Sequence, residues 1–205
     1  QACRTTSDIL DRVSDLIRPG IATKEVDQSA ADFMSDAGVK SAFLGYRLGH
    51  RVFPGNICIS LNDEVVHGIG TQRRIQYGDV VKLDVTLELD GYMADSAVTV
   101  IIPPVSVEAR QLQRAARIAF NSGVAVARAG QSLREVGRAV ESAAKREGAV
   151  VVRELTGHGI GRRIHEPPTV PNWGDPDART ILAEGMVIAL EPMLTSVPAR
   201  VVEEA

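Results

Sequence analysis

Only Cys3 and Cys58 supply thiols in this 205-residue chain, so neither a disulfide framework nor a paired-cysteine metal motif can be assembled. That usage suits a reducing compartment, and the cytoplasm is the expected location. Apolar runs are short: none approaches the roughly 20 residues of a membrane span, and no charged-then-apolar leader opens the chain. No membrane partner is expected. Charge is nearly balanced, with a net value of −3 and a pI near 5.8, which argues against nucleic acid as the main partner. Arg162-Arg163 is a local basic patch within that balance. Hydrophobic content of 44% and charged content of 24% are ordinary for a soluble globular protein, and the length allows one or two intimately packed domains.

What is present centres on Gly78 to Ile102. From Val80 to Leu89 the chain alternates, with Val81, Leu83, Val85, Leu87 and Leu89 on one face and Lys82, Asp84, Thr86 and Glu88 on the other, the period of a half-buried strand. Asp90-Gly91 reads as a two-residue hairpin turn. Pairing Leu89 with Tyr92 then sets Asp95 opposite Thr86 and Ala97 opposite Asp84. Asp84 and Asp95 share a face as diagonal neighbours, about 7–8 Å apart at Cα. Aspartate is depleted in strands and like charges repel, so a divalent cation between the two carboxylates is the simplest account. The alternative is a solvated sheet face that merely carries them.

Upstream, Thr6 to Arg18 carries the helical stripe Ile9, Leu10, Val13, Leu16 and Ile17, ended by Pro19-Gly20. Thr23 reads as the N-cap of a second helix with Val26, Ala30, Phe33 and Ala37 on one face and Gly38 as its stop. Val39 to Asn62 is rich in glycine and aromatics (Phe43, Gly45, Tyr46, Gly49, Phe53) and ends in a strand through Ile57–Leu61. Val65–Gly68 is predicted as a second short strand. Downstream of Pro103-Pro104, Ser106 opens a helix through about Arg128. Ser132 with Glu135 forms a capping box for another, ending at Gly148. Val150–Leu155 and Gly185–Met193 are predicted strands, and Thr195 to Ala205 has no strong pattern.

The chain repeats itself. Arg18-Pro-Gly, Lys24-Glu-Val and Gly38 recur as Arg128-Ala-Gly, Arg134-Glu-Val and Gly148, and Gly78-Asp-Val-Val-Lys-Leu-Asp84 recurs as Gly185-Met-Val-Ile-Ala-Leu-Glu191. Two halves about a pseudo-two-fold axis would bring Glu191 to a place equivalent to that of Asp84. His158 stands between two glycines, with His165 seven residues on. Histidine with carboxylates is a mixed N/O set that suits Mn, Fe, Co or Zn, and such sites activate water for hydrolysis.

These segments resemble the type I methionine aminopeptidases of the pita-bread family: Val65-Val-His-Gly-Ile69, Gly78 to Thr86, Asp90-Gly-Tyr-Met-Ala-Asp95, Thr156-Gly-His-Gly-Ile-Gly161 with His165-Glu166, and Gly185 to Met193. The resemblance implies an α+β pita-bread fold, an antiparallel curved sheet with helices on its outer face. Residues 1–205 would then be a single metallopeptidase catalytic domain with halves of about 1–104 and 105–205. It implies two divalent metal ions, with Asp84 a ligand of one, Asp95 bridging, and His158 and Glu191 ligands of the other. It also implies Glu191 as the candidate proton acceptor, His67 and His165 as residues that bind the substrate and assist proton movement, and Tyr46, Phe53 and Cys58 as walls of a pocket for methionine. The implied partner is the N-terminal methionine of nascent polypeptides, met by a monomer that associates with the ribosome.

Three departures accompany the resemblance. The family's fifth ligand, a bridging glutamate on a final strand, has no counterpart. Glu203 and Glu204 lack an alternating strand around them, so the chain reads as shortened at its C-terminus, with one tightly held metal expected if it ends at Ala205. Tyr46 and Phe53 stand further apart than expected, and Ile164 replaces a pocket phenylalanine. Two further readings compete: a proline-specific aminopeptidase or prolidase on the same fold, and a catalytically silent binding module.

Overall fold

The computed structural model describes residues 1–48 and 51–203; Gly49 and Glu204, singled out above, lie outside the described residues. The chain divides into two compact units, one of Gln1–Ser106 with Gly161–Ile164 and one of Val107–Ile160 with His165–Ala205. Helices and antiparallel strands make up both, an α+β architecture.

In the first unit, α1 (Ala2–Asp15) and α2 (Thr23–Asp36) lead to the short strands β1 (Lys40–Ser41), β2 (Arg47–Leu48) and β3 (Arg51–Val52). Strand β4 (Cys58–Leu61) and the hairpin β5 (Val80–Leu89) and β6 (Tyr92–Ile101) follow. The sheet runs β1-β5-β4, with β6 also paired to β5. Asp90 (φ 54) and Gly91 (φ 77) both turn left-handed, as a two-residue turn matched to strand twist requires. The register follows: Leu89 opposes Tyr92, Thr86 opposes Asp95 and Asp84 opposes Ala97. Val81, Leu83, Val85 and Leu87 are fully buried in one cluster with Ile9, Leu10 and Val13 of α1 and Val26, Ala30 and Met34 of α2.

In the second unit, α3 (Val107–Val126) and α4 (Leu133–Arg146) precede β7 (Val150–Val151), β8 (Gly157–Gly159), β9 (Glu166–Val170), β10 (Ile188–Ala189) and β11 (Leu194–Thr195). Strand β8 lies between β10 and β9, and β11 pairs β7. Ser132 caps α4 by accepting the Glu135 N–H. Alanines (Ala115, Ala119, Ala143, Ala144) line the α3–α4 seam with Val140 and Val151, and small side chains there let two helices approach closely.

The internal repeat extends to individual hydrogen bonds. Gly20 N–H donates to Ile75 O at 2.8 Å, and Gly130 N–H to Leu182 O at 2.8 Å. Thr23 N–H donates to Arg73 O and Leu133 N–H to Thr180 O, both at 2.9 Å. The Lys40–Glu88 pair of β1 and β5 recurs as the Val150–Thr195 pair of β7 and β11. At one matched helix position the units diverge. Asp27 accepts from Asn56 N (2.7 Å), Ile57 N (3.1 Å) and Asn56 Nδ2 (2.9 Å), whereas its counterpart Gly137 leaves room for passing backbone, since a Cβ would collide with Trp173 O and stand 2.7 Å from Pro171 O.

Several expectations are corrected. Helix α1 runs earlier, from Ala2 to Asp15. Thr23 is the first residue of α2 and Ala22 its N-cap; the Ala22 N–H goes to the Glu25 carboxylate at 2.8 Å. The Thr23 hydroxyl instead ties down Thr71, donating to its carbonyl and accepting from its N–H. Val65–Gly68 is not a strand, because His67 is left-handed (φ 59). Val150–Leu155 shortens to two paired residues. Gly185–Met193 does so too, its leading Gly185 lying at φ 85.

Replacing Asp27 by alanine strands the amide N–H groups that open the segment leading into β4. A cost of about 1–3 kcal/mol is expected, read as a lower urea midpoint at unchanged slope.

Candidate metal centre

On the first unit's hairpin, the polar face of β5 and β6 carries Lys82, Asp84 and Thr86 with Asp95 cross-strand from Thr86. Its burial is uneven: Thr86 is fully buried, both aspartates are half-buried, and Ala97 opposite Asp84 is exposed. Lys82 turns its ammonium to the Asn62 carbonyl at 2.6 Å, and burial lowers its pKa to about 8. Two carboxylates in this partly desolvated setting are a donor set that fits a divalent cation.

Strand β4 sets Cys58 directly opposite Asp84. Burial pushes the Cys58 thiol far above its ordinary range, and the negative charges of Asp84 and Asp95 push it further. The thiol is therefore protonated near pH 7 and is not poised as a nucleophile. Cys58 packs with Phe43 and Phe53 in one apolar cluster, with Tyr46 against it; the two phenyl rings lie 5.5 Å apart. The structure therefore brings together the predicted pocket residues Tyr46, Phe53 and Cys58, and adds Phe43. The signal for Phe43 was its place among the aromatics preceding β4.

His67 is positioned by backbone constraint. Gly68 donates to Ser60 Oγ at 3.0 Å and accepts from Ile59 N at 2.8 Å. A Cβ on Gly68 would collide with Ile59 O. The chain meets β4 there and turns away, with the His67 N–H facing toward the Cys58 thiol. His67 is exposed as a residue, and partial burial of its ring lowers its pKa, so it is neutral near pH 7.

In the second unit, β8 holds His158 and β10 leads into Glu191. Gly157 and Gly159 flank His158 because neighbouring backbone passes too close for a side chain: a Cβ would collide with Ala189 O at one and Pro167 O at the other. His158 Nδ1 lies 2.9 Å from Gly159 O. A carbonyl only accepts, so Nδ1 carries the hydrogen, and Nε2 is the nitrogen left for other work. Nε2 lies 3.3 Å from Glu191 Oε1. Two acceptor atoms so placed require a proton or a cation between them. Two ligands each about 2.0–2.2 Å from one ion lie about 3.0–3.5 Å apart, so the pair fits a metal ion. The His165 ring stands edge-on to His158, with centroids 4.4 Å apart. Ile164, assigned to the first unit, is buried.

Comparison with known proteins agrees with this chemistry. Residues 1–203 match the model of metallopeptidase family M24, and the chain belongs to that family. It is 37% identical over 180 residues to methionine aminopeptidase 1 of Bacillus subtilis, covering 88% of this chain and 71% of the relative. Its structure resembles that of the methionine aminopeptidase of Thermotoga maritima, with a TM-score of 0.92 and 30% identity over 99% of this chain and 80% of the other. A prolidase of Pyrococcus furiosus matches with a TM-score of 0.77 and 23% identity, over 93% of this chain and 53% of the other. That likeness is one of fold alone.

Thiol labelling separates the two cysteines. Exposed Cys3 should react with a disulfide reagent while Cys58 stays silent as pH rises from about 7 to 9, because its raised pKa keeps it protonated. Two fast-reacting thiols in the native chain would contradict this.

Proposed function

We propose that this chain is a methionyl aminopeptidase, a metal-dependent exopeptidase that removes N-terminal methionine from new polypeptides. The observation that carries the reading is the His158–Glu191 pair, 3.3 Å apart with the other imidazole nitrogen committed to Gly159 O. The relatives' names favour methionine over proline specificity, and both units are taken to serve one catalytic domain. Asp84, Asp95, His158 and Glu191 would hold two divalent ions, drawn from Co, Mn, Fe or Zn. No residue is assigned as a fifth ligand.

The chemistry that bound ions supply is Lewis acidity, which polarises the scissile carbonyl and makes a water acidic enough to attack. The remaining tasks fall to side chains. Glu191 accepts the proton released by the attacking water. His67, neutral near pH 7, and His165 hold the peptide and carry protons between water, peptide nitrogen and bulk. Phe43, Tyr46, Phe53 and neutral Cys58 offer an apolar surface of the kind a thioether prefers. Action in the cytoplasm as a monomer, on chains emerging from the ribosome, completes the proposal.

Release of free methionine from a Met-Ala-Ser peptide, abolished by a chelator and restored by Mn or Co, tests the activity; no release under any metal would refute it. His158→Ala should lose metal, with affinity at least about tenfold weaker. His165→Ala should keep its metal and turn over about 10²–10⁴-fold more slowly. Equal metal content in His158→Ala and the parent under limiting metal would remove His158 from the ligand set.

A further inference from the structure

Asn172 is fully buried, yet it belongs to no ligand motif. Its Nδ2 lies 3.0 Å from the backbone carbonyl of Glu191. That oxygen only accepts, so the amide nitrogen must face it. Among the described residues its Oδ1 has no hydrogen-bond partner. A buried amide oxygen left unpaired costs about 1–3 kcal/mol, which a residue kept only to fill space would avoid by being apolar.

The segment carrying Asn172 is held from several sides. Trp173 packs against the α3–α4 core. Gly174 N–H reaches Glu141 Oε2 at 3.3 Å, and Glu141 Oε1 is held in turn by Arg153 at 2.6 Å. Gly137 lets the carbonyls of Pro171 and Trp173 pass where a Cβ would collide with them. The amide is thus presented from a rigid base. Strand β10 ends at Ala189, so Glu191 lies beyond the ladder and receives from Asn172 a main-chain bond that the sheet does not supply.

We propose that Asn172 is a positioning residue for Glu191, fixing the main chain so that its carboxylate stays at ligand distance from His158 Nε2. This rests on the metallopeptidase reading above, in which His158 and Glu191 hold a metal ion. A residue acting through a ligand typically changes metal affinity by 10- to 100-fold.

The test is calorimetric titration of the purified metal-free chain with Mn²⁺, on the parent, Asn172→Leu, Asn172→Ala and Asn172→His. Leucine preserves volume without a donor, alanine serves should leucine fail to fold, and histidine can still present a ring N–H. Leucine or alanine should weaken Mn²⁺ about tenfold or more and lower kcat with KM for a Met-Ala-Ser peptide within about twofold; histidine should recover part of the affinity. Combined with Glu191→Gln, Asn172→Leu should cause no further loss, since coupled groups are not additive. Parent-like Mn²⁺ affinity in folded Asn172→Leu or Asn172→Ala, or a full additional loss in the double variant, overturns the role of Asn172. A parent chain that binds no Mn²⁺ and releases no methionine overturns the metallopeptidase reading itself.

Discussion

The left-handed pair Asp90-Gly91 is the constraint from which the first unit's site follows. A two-residue turn with both residues at positive φ matches the twist of the flanking strands and admits one register. Because side chains alternate with a period of two, a slip of one residue would send Val81, Leu83, Val85 and Leu87 to the polar face and Asp84 into the helix-covered core. Burial of those four residues against α1 and α2 and the turn therefore enforce the same pairing. The carboxylates are placed by hydrophobic burial on the other side of the strand, at no cost in dedicated scaffolding.

The repeat shows which parts of that plan are scaffold and which are free to change. Hydrogen bonds that anchor each second helix recur residue for residue, from Gly20–Ile75 to Gly130–Leu182. These fix backbone and are indifferent to side-chain identity, so they tolerate sequence drift. Where side chains do the anchoring, the units differ: Asp27 caps the entry to β4 through its carboxylate, whereas Gly137 admits bare backbone. The polar strand positions diverge as well. Asp84 and Glu191 both keep a carboxylate, but His158 is held between glycines whose missing Cβ atoms make room for neighbouring carbonyls.

How much of this was legible in the sequence depends on how local each signal is. The Asp-Gly turn, the alternation of β5 and the Ser132 cap are short-range rules, and the structure follows them. The pairing Thr86–Asp95 follows from the turn and the alternation alone. Val65–Gly68 was misread because an apolar pair before His-Gly resembles a strand, while the left-handed turn at His67 comes from the close approach of Gly68 to β4, a tertiary contact. Thr23 was misread similarly: its hydroxyl serves Thr71, 48 residues away, and Glu25 takes over at the helix start. The proximity of His158 and Glu191 was suggested only by the repeat and the family resemblance.

Departures from local rules gather where chemistry is expected. Asn62, His67 and Asp90 all lie at positive φ, a region sparsely populated outside glycine though enriched in these three types, and such a conformation persists where the surroundings over-determine it. Ser60, Ile59 and Gly68 do so at His67. Asn172 likewise keeps a buried oxygen with no hydrogen-bond partner among the described residues while its nitrogen holds Glu191. In each case an unfavourable local state is maintained by hydrogen bonds to a rigid neighbour, and in each the result is a fixed main chain beside a functional side chain. Apolar burial against α1 and α2 in the first unit and along the α3–α4 seam in the second offsets the stability given up there. Preorganisation in this chain is thus carried by the backbone at a few positions, and the side chains of His67 and Glu191 inherit their placement from it.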